Sequence, residues 1–193
     1  MVVRGAWTHA TLGVMHRSGE EHSRPQLLVA GGGIGALAAA LAAQRAGWLV
    51  QIFEQAAAFS EVGAGLQLGP NATRILQAWG LGSPLQAVAA FPAAVVARSI
   101  EDGRELSRLR LAAERYGAPY ATVHRRDLHA LLLDVARREG VDVHLDCPVT
   151  GFGLDGERVD LLGHGGPLAH ADVARWRAGQ RPRSGSSNGQ FRP

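Results

Sequence analysis

Lysine is absent from this 193-residue chain: all 20 basic residues are arginine, set against 17 acidic ones. Arginine-only usage beside abundant alanine reads as codon bias rather than a binding strategy, so the net charge of +3 says little about partners. The excess is also local. Arg175, Arg177, Arg181, Arg183 and Arg192 place five positive charges in residues 174–193, which hold no acid, and the rest of the chain therefore stands at −2. Aromatic residues make up only 6%, so there is neither a basic body nor a stacking platform for nucleic acid. The arginine tail alone keeps that class open as a remote alternative. Cysteine is nearly missing: Cys147 stands alone, which excludes an internal disulfide, favours a reducing compartment and suits a small buried residue. No apolar run approaches the ~20 residues of a membrane span. Residues 1–24 mix His, Arg, Glu and Thr without a continuous apolar core, so they do not read as a signal peptide. They are expected to be a disordered extension, with Met15 as an alternative start and the cytoplasm as the compartment.

The eight histidines show no metal-ligand spacing; His124 and His129 lie five apart, and His164 and His170 sit among turn residues. No nucleophile–base arrangement can be argued either, so no catalytic residue and no metal ligand is assigned. At 46% hydrophobic residues the chain is long enough to bury one core and part of a second.

What is present is concentrated in residues 26–54, QLLVAGGGIGALAAALAAQRAGWLVQIFE. The apolar run Leu27–Ala30 has the length of a buried parallel strand. Gly31, Gly32, Gly33 and Gly35 follow, then alanine-rich helix-forming sequence from Ala36 to Ala46, stopped by Gly47. A second strand, Leu49–Phe53, ends on Glu54. Strand, glycine turn, helix, strand and acid form the layout of a dinucleotide-binding βαβ unit. Gly31 allows the tight turn off the strand, Gly33 lets backbone approach a pyrophosphate, and Ala36 takes the place of the third glycine. The helix N-terminus with its unpaired N–H groups suits phosphate. Glu54 lies 23 residues beyond Gly31, near the spacing of about 20 at which an acid meets ribose hydroxyls. The competing reading, a plain glycine-rich strand–helix turn, leaves Glu54 unexplained.

Further along, glycines 63, 65 and 69 make a backbone-rich loop around a short strand, Leu66-Gln67-Leu68. Pro70 and Asn71 open a helix with Ile75, Leu76 and Trp79 on one face and Gly80 as its stop. Residues 91–111 carry two β-rich pieces around Asp102-Gly103, a hairpin. A helix opens at Asp127, read as its N-cap, with Leu128, Leu131, Leu132 and Val135 as a core stripe and Gly140 as the end. A second hairpin covers Arg158–Leu162, a turn at 163–166, and Pro167–Val173.

Three blocks, VAGGGIGALAAALAAQRAGWLVQIFEQ, EVGAGLQLGPNA and YGAPYATVHRRDLHALLLDV, lie in order over residues 26–135. Together they resemble the N-terminal part of the FAD-dependent aromatic hydroxylases, the group of flavoprotein monooxygenases that includes salicylate and 3-hydroxybenzoate hydroxylases. The resemblance implies an α/β fold: a Rossmann-like FAD-binding domain over 25–173, with part of a β-rich substrate sheet within about 90–123. It implies FAD as cofactor, NADH or NADPH as co-substrate and a small aromatic acid as substrate, with no nucleic acid and no membrane. The backbone around Ile34 and Gly35 would hold the FAD pyrophosphate and Glu54 the adenosine ribose, with Gln55 at its rim. Arg125, in the H-R-x-D-L motif, would reach the flavin's phosphate or ribityl portion, and Arg126 is read as a surface arginine. Gln67 and the loop from Val62 to Gly65 would pass near the flavin ring. Val149, on the strand after Val141–Leu145, would touch adenine through its backbone. A short NAD(P)-binding oxidoreductase is the alternative, disfavoured by the second and third blocks.

The family runs to about twice this length. Its members continue from a stretch like Ala171-Asp172-Val173 into an apolar strand and a G-A-D-G motif, then a second half that completes the substrate sheet and supplies the catalytic base. Here the sequence turns to ARWRAGQRPRSGSSNGQFRP, rich in Arg, Gly, Ser and Pro, which is read as unable to form that strand. A truncated or frameshifted hydroxylase with a disordered, out-of-frame tail at 174–193 is the expectation, with little hydroxylation by this polypeptide alone. Translating the other frames downstream of codon 173 checks it: one of them is expected to restore an apolar strand and a G-A-D-G-like motif.

Overall fold

A computed structural model describes residues 2–4, 24–60, 63–155 and 158–175. In chain order its elements begin with β1 (Val2–Arg4), β2 (Gln26–Ala30), α1 (Ile34–Arg45), β3 (Leu49–Phe53), β4 (Gly65–Leu68) and α2 (Pro70–Ala78). There follow α3 (Gly82–Val88), β5 (Ala89–Ala90), β6 (Ala94–Arg98), β7 (Glu105–Arg110), α4 (Ala113–Tyr116) and β8 (Ala121–His124). The chain continues with α5 (Arg125–Arg138), β9 (Asp142–His144), β10 (Gly151–Asp155), β11 (Arg158–Gly163), β12 (Gly166–Ala171) and β13 (Val173–Arg175). These elements fall into two compact units, residues 1–59 with 134–193 and residues 60–133.

The first unit is built on a five-stranded sheet in the order β1-β13-β2-β3-β9. β13, β2, β3 and β9 run parallel, and β1 pairs antiparallel with β13 at the edge. Parallel strands need both faces covered, and the near-continuous apolar runs of β2 and β3 meet that demand. Because side chains alternate along a strand, Leu28 and Phe53 share one face, while Leu27, Val29 and Ile52 take the other. On the first face Leu28, Phe53 and Ala174 join Val159, Leu161 and Ala171 in a buried cluster. The latter three come from an antiparallel sheet, β10-β11-β12. α1 packs on the β2–β3 pair, with Leu37, Ala40 and Leu41 fully buried. Each such leucine contributes roughly 1.5–3 kcal/mol of transfer free energy.

The end of α1 is fastened to the turn after α5. Arg45 grips Glu139 with two hydrogen bonds, one of them Nε to Oε2 at 2.8 Å, and Gln44 Nε2 donates to the Glu139 carbonyl at 2.7 Å. Gly47 and Gly140, at φ of +89° each, end the two helices as expected.

The second unit holds the antiparallel sheet β4-β8-β5 and a two-stranded ribbon, β6-β7, whose turn carries Gly103 at φ +70°. Both hairpins expected from sequence are formed, the second as β11–β12 of the first unit, except that Val173 leaves it for β13. α2 begins at Pro70 and is anchored by Thr73, buried, whose hydroxyl donates to the Pro119 carbonyl at 2.6 Å. In α5, Leu128, Leu132 and Val135 of the expected stripe are buried, while Leu131 is only half buried.

Several expectations are corrected. β13 runs through Ala174 and Arg175, so the segment read as unable to form a strand supplies one, and these two residues do not belong to a disordered tail. Residues 176–193 lie outside the described set. Within the presumed N-terminal extension, β1 is a strand, and Arg24 is held by donation from Nε to the Gly47 carbonyl at 2.9 Å. Both short strands form because each finds a neighbour's unpaired backbone edge, which local composition does not report. Asp127 is not an N-cap: α5 starts at Arg125 and puts Asp127 in the first turn, where the helix dipole favours an acid. Ile75 is half exposed rather than part of the α2 core face, and α3 and β10 were not foreseen. Val149 lies on no strand but in the irregular segment before β10, packed against the Leu28–Leu161 cluster. Cys147 is half buried beside it.

The Arg45 pair yields a pH prediction. The hydrogen bond from Arg45 holds the Glu139 carboxyl below its ordinary value of 4.5, against a smaller opposing effect of burial. A depressed carboxyl stabilises the fold above its unfolded pKa and loses that contribution as pH falls through the folded one. Glu139→Gln is expected to cost at most about 1 kcal/mol near neutral pH in urea unfolding, because the pair is partly solvated. The difference from wild type should shrink toward zero as the pH is taken below the carboxylate range.

Candidate functional site

The parallel sheet carries the glycine turn at its strand ends, where β2 gives way to α1. Gly31 sits at φ +92°, a conformation that L side chains rarely adopt, and its N–H donates to the Phe53 carbonyl at 2.8 Å. That bond joins the ends of β2 and β3. Gly33 is the N-cap of α1, without a side chain to cap the helix, and the first turn contains no acid. The positive end of the α1 dipole is thus left uncompensated by any side chain of its own helix, which favours an anion there.

Glu54 stands at the end of β3 and holds this turn in place. Its Oε2 accepts the Gly32 N–H at 2.7 Å and its Oε1 the Ala56 N–H at 2.9 Å. Its own backbone extends the sheet: the N–H donates to the His144 carbonyl at 2.8 Å, and its carbonyl accepts the Cys147 N–H at 2.9 Å. The His144 ring stacks on Phe53 at 4.8 Å between centroids, beneath the same strand ends. An ionised carboxylate offers about four lone-pair directions. Two are used by backbone N–H groups, which leaves acceptor capacity for hydroxyls. Gln55, next in the chain, is exposed.

The glycines divide by the reason each is needed. A Cβ on Gly31 or Gly35 would meet nothing within 4 Å, so Gly31 is required by its backbone angle and Gly35 leaves open space at the helix start. A Cβ on Gly32 would lie 2.5 Å from Phe59 Cε1 and 3.4 Å from Glu54 Cβ. Gly32 and Phe59 were not singled out from sequence. The only available signal was the run of three glycines, in which the middle one has no part in the G-x-G-x-x-G spacing.

Gly31, Gly33, Ile34, Gly35, Glu54, Gln55 and Val149 all belong to the first unit. Gln67 and Arg125 belong to the second, and Val62 lies outside the described residues. Gln67 is on β4, exposed and opposite Thr122 of β8. Arg125 opens α5; its N–H donates to the Ala64 carbonyl at 3.3 Å. Its stem lies so close to Gly63 that a Cβ there would meet Arg125 Cβ at 2.9 Å. Arg126 is exposed, as expected of a surface arginine.

Comparison with known proteins places the chain among relatives of known fold. The chain is 44% identical over 117 residues to 3-hydroxybenzoate 6-hydroxylase of Polaromonas naphthalenivorans, covering 59% of this chain and 29% of that protein. It is 39% identical over 141 residues to the FAD-dependent monooxygenase OpS4 of Beauveria bassiana, covering 71% of this chain and 33% of that one. The chain is related to the FAD-dependent aromatic hydroxylases. Among solved structures, Klebsiella pneumoniae HpxO complexed with FAD and uric acid superposes with a TM-score of 0.67 at 25% identity, over 77% of this chain and 37% of that one. No protein-family model matches. The chain thus spans about a third of the length of the hydroxylases and monooxygenases it matches. The expected α/β class, a partial domain with a parallel sheet, is the fold of these relatives. Among the described residues no helix is long and apolar enough to cross a membrane.

Gly31 and Gly35 are sterically alike and differ in backbone angle, which separates their substitutions. Gly31→Ala is expected to lower unfolding free energy by at least about 1 kcal/mol, from strain at positive φ. Gly35→Ala, inside the first turn of α1, should be neutral or stabilising by up to about 1 kcal/mol. Urea unfolding of the two variants measures the contrast.

Proposed function

We propose that this chain forms the ADP-binding portion of an FAD site in an NAD(P)H-dependent aromatic-ring monooxygenase, acting on small aromatic acids of the hydroxybenzoate type. The observation that carries the reading is Glu54, fixed at the end of β3 with one oxygen on Gly32, beside an α1 N-terminus that has no acid and no side-chain cap. The residues present fit the adenosine diphosphate part of FAD. Gly31, Gly33, Ile34 and Gly35 form the backbone cradle for the pyrophosphate, where helix N–H groups and dipole offset its charge. Glu54 accepts from the adenosine ribose hydroxyls with its unused lone pairs, and Gln55 lies at the rim. Val149 offers its backbone to adenine while its side chain stays in the core. Gln67 and the loop with Val62 are assigned to the flavin ring, and Arg125 to the phosphate or ribityl portion, on the resemblance. FAD supplies the redox chemistry of such enzymes; the protein's share is to bind, orient and exclude water. No residue of this chain is assigned as catalytic base, and NADH or NADPH serves as the co-substrate. Relatives act on hydroxybenzoate, as in 3-hydroxybenzoate 6-hydroxylase, and on hydroxynicotinate, as in 6-hydroxynicotinate 3-monooxygenase, which supports the substrate class.

The purified 193-residue chain is expected to take up FAD and show flavin absorbance near ~370 and ~450 nm that co-elutes with protein. Glu54→Gln should weaken that binding by about tenfold or more, as a charged acceptor is lost. Retention of NADH with no flavin uptake would instead favour a nicotinamide-binding oxidoreductase and overturn the proposal.

A further inference from the structure

We infer that Phe59 is a positioning residue of the nucleotide site, its ring acting as the rigid back wall that sets the Gly31–Gly33 turn; this rests on the reading of that turn as the pyrophosphate cradle. The ring occupies the space a side chain would take on Gly32: a Cβ there would fall 2.5 Å from Cε1 and 2.8 Å from Cζ of Phe59. Gly32 is buried, and its N–H points to Glu54 Oε2 at 2.7 Å. The Gly32 residue is therefore held by the ring on its Cβ side and by the carboxylate through its N–H.

Such restraint has a physical purpose. Three successive glycines have more backbone freedom than any other tripeptide and lose the most entropy on ordering. Without outside contacts the turn would sample many arrangements, few of which direct the α1 N-terminus at a phosphate. An apolar ring against the Gly32–Glu54 hydrogen bond also limits competition from water, and a bond to a charged acceptor gains strength in a drier setting.

The local chain path delivers the ring. Ala56 N–H returns to Glu54 Oε1, and the Ala56 carbonyl accepts the Asp146 N–H at 3.1 Å. These two bonds fold residues 54–59 back on the strand end, so that Glu54 and Phe59, five positions apart, reach the same glycine. Ala57 and Ala58 between them are exposed, and Phe59 is half buried. An aromatic residue after three alanines is thus placed by the same carboxylate that it shields.

The test uses the full chain and two probes, FAD and ADP, the latter because it lacks the flavin and reports on the turn alone. Titration calorimetry is expected to show Phe59→Ala weakening both ligands by about tenfold, since small misplacements of binding groups are costly. Phe59→Leu, which keeps an apolar wall, should recover affinity to within about threefold of wild type. Gly32→Ala should cost more affinity in the presence of Phe59 than in the Phe59→Ala background, because the contact it offends has been removed. Melting temperatures recorded alongside separate positioning from bulk stability: a Phe59→Ala protein that melts lower but binds ADP as wild type does overturns the inference. Additive effects of Gly32→Ala and Phe59→Ala on affinity overturn it as well. A wild-type chain that binds neither probe overturns the reading of the turn, and the inference falls with it; a wild type that binds and a Phe59→Ala variant that binds equally sinks the inference alone.

Discussion

One carboxylate ties the N-terminal βαβ unit together. Glu54 receives the Gly32 N–H and the Ala56 N–H with its two oxygens while its backbone is shared with His144 and Cys147 on the neighbouring segment. Hydrogen bonds to an ionised acceptor contribute roughly 1.5–3 kcal/mol each, more than neutral ones. Through them a single side chain specifies the glycine turn and the return loop to Phe59, while the backbone of the same residue joins the end of β3 to the exit of β9. Remove it and each of these keeps its own propensity but loses the common reference that makes them one surface.

That arrangement depends on a sheet dry on both faces. Leu28 and Phe53 look toward the β10-β11-β12 layer and α1 covers the reverse, so β2 and β3 have no freedom to slip in register. The alanine-rich helix fits the same requirement: Ala40 at no exposure lets α1 approach the strands closely, which bulkier residues would prevent. The Arg45–Glu139 pair and Gln44 then fix the far end of the helix, and the near end carries no acid in its first turn and no side-chain cap.

How much of this could be read from the residues varies with the range of the interaction. Leu49–Phe53, α1 with its Gly47 stop, α2 from Pro70 to the stop at Gly80 and both hairpins were legible, because a strand's apolar run, a helix's cap and a turn's glycine are signals within a few positions. Ile75 was misjudged because helical spacing names a face but not what covers it. The place of Glu54 at the end of the second strand was legible from spacing, whereas its grip on Gly32 and Ala56 was not, since hydrogen-bond partners follow from three-dimensional placement. Gly32 and Phe59 escaped notice for the same reason: their relation is a steric contact across a loop, invisible to periodicity. β13 was missed outright. Three residues followed by arginine, glycine and proline look like a chain end, and only the open edge of β2 makes them a strand.

β13 also governs the order in which the molecule can assemble. The Gln26 N–H is bonded to Asp172 Oδ2 at 2.8 Å across 146 positions, immediately before Val173 pairs with Leu27. Strand β2 is therefore synthesised early, but one of its two neighbours arrives only some 146 positions later. Closing so long a loop carries a large entropic cost before any pairing rewards it, and topologies of high contact order fold slowly. Until then β2 presents an unsatisfied backbone edge to whatever is nearby, so the nascent chain passes through a period in which chaperone engagement competes with intermolecular strand pairing.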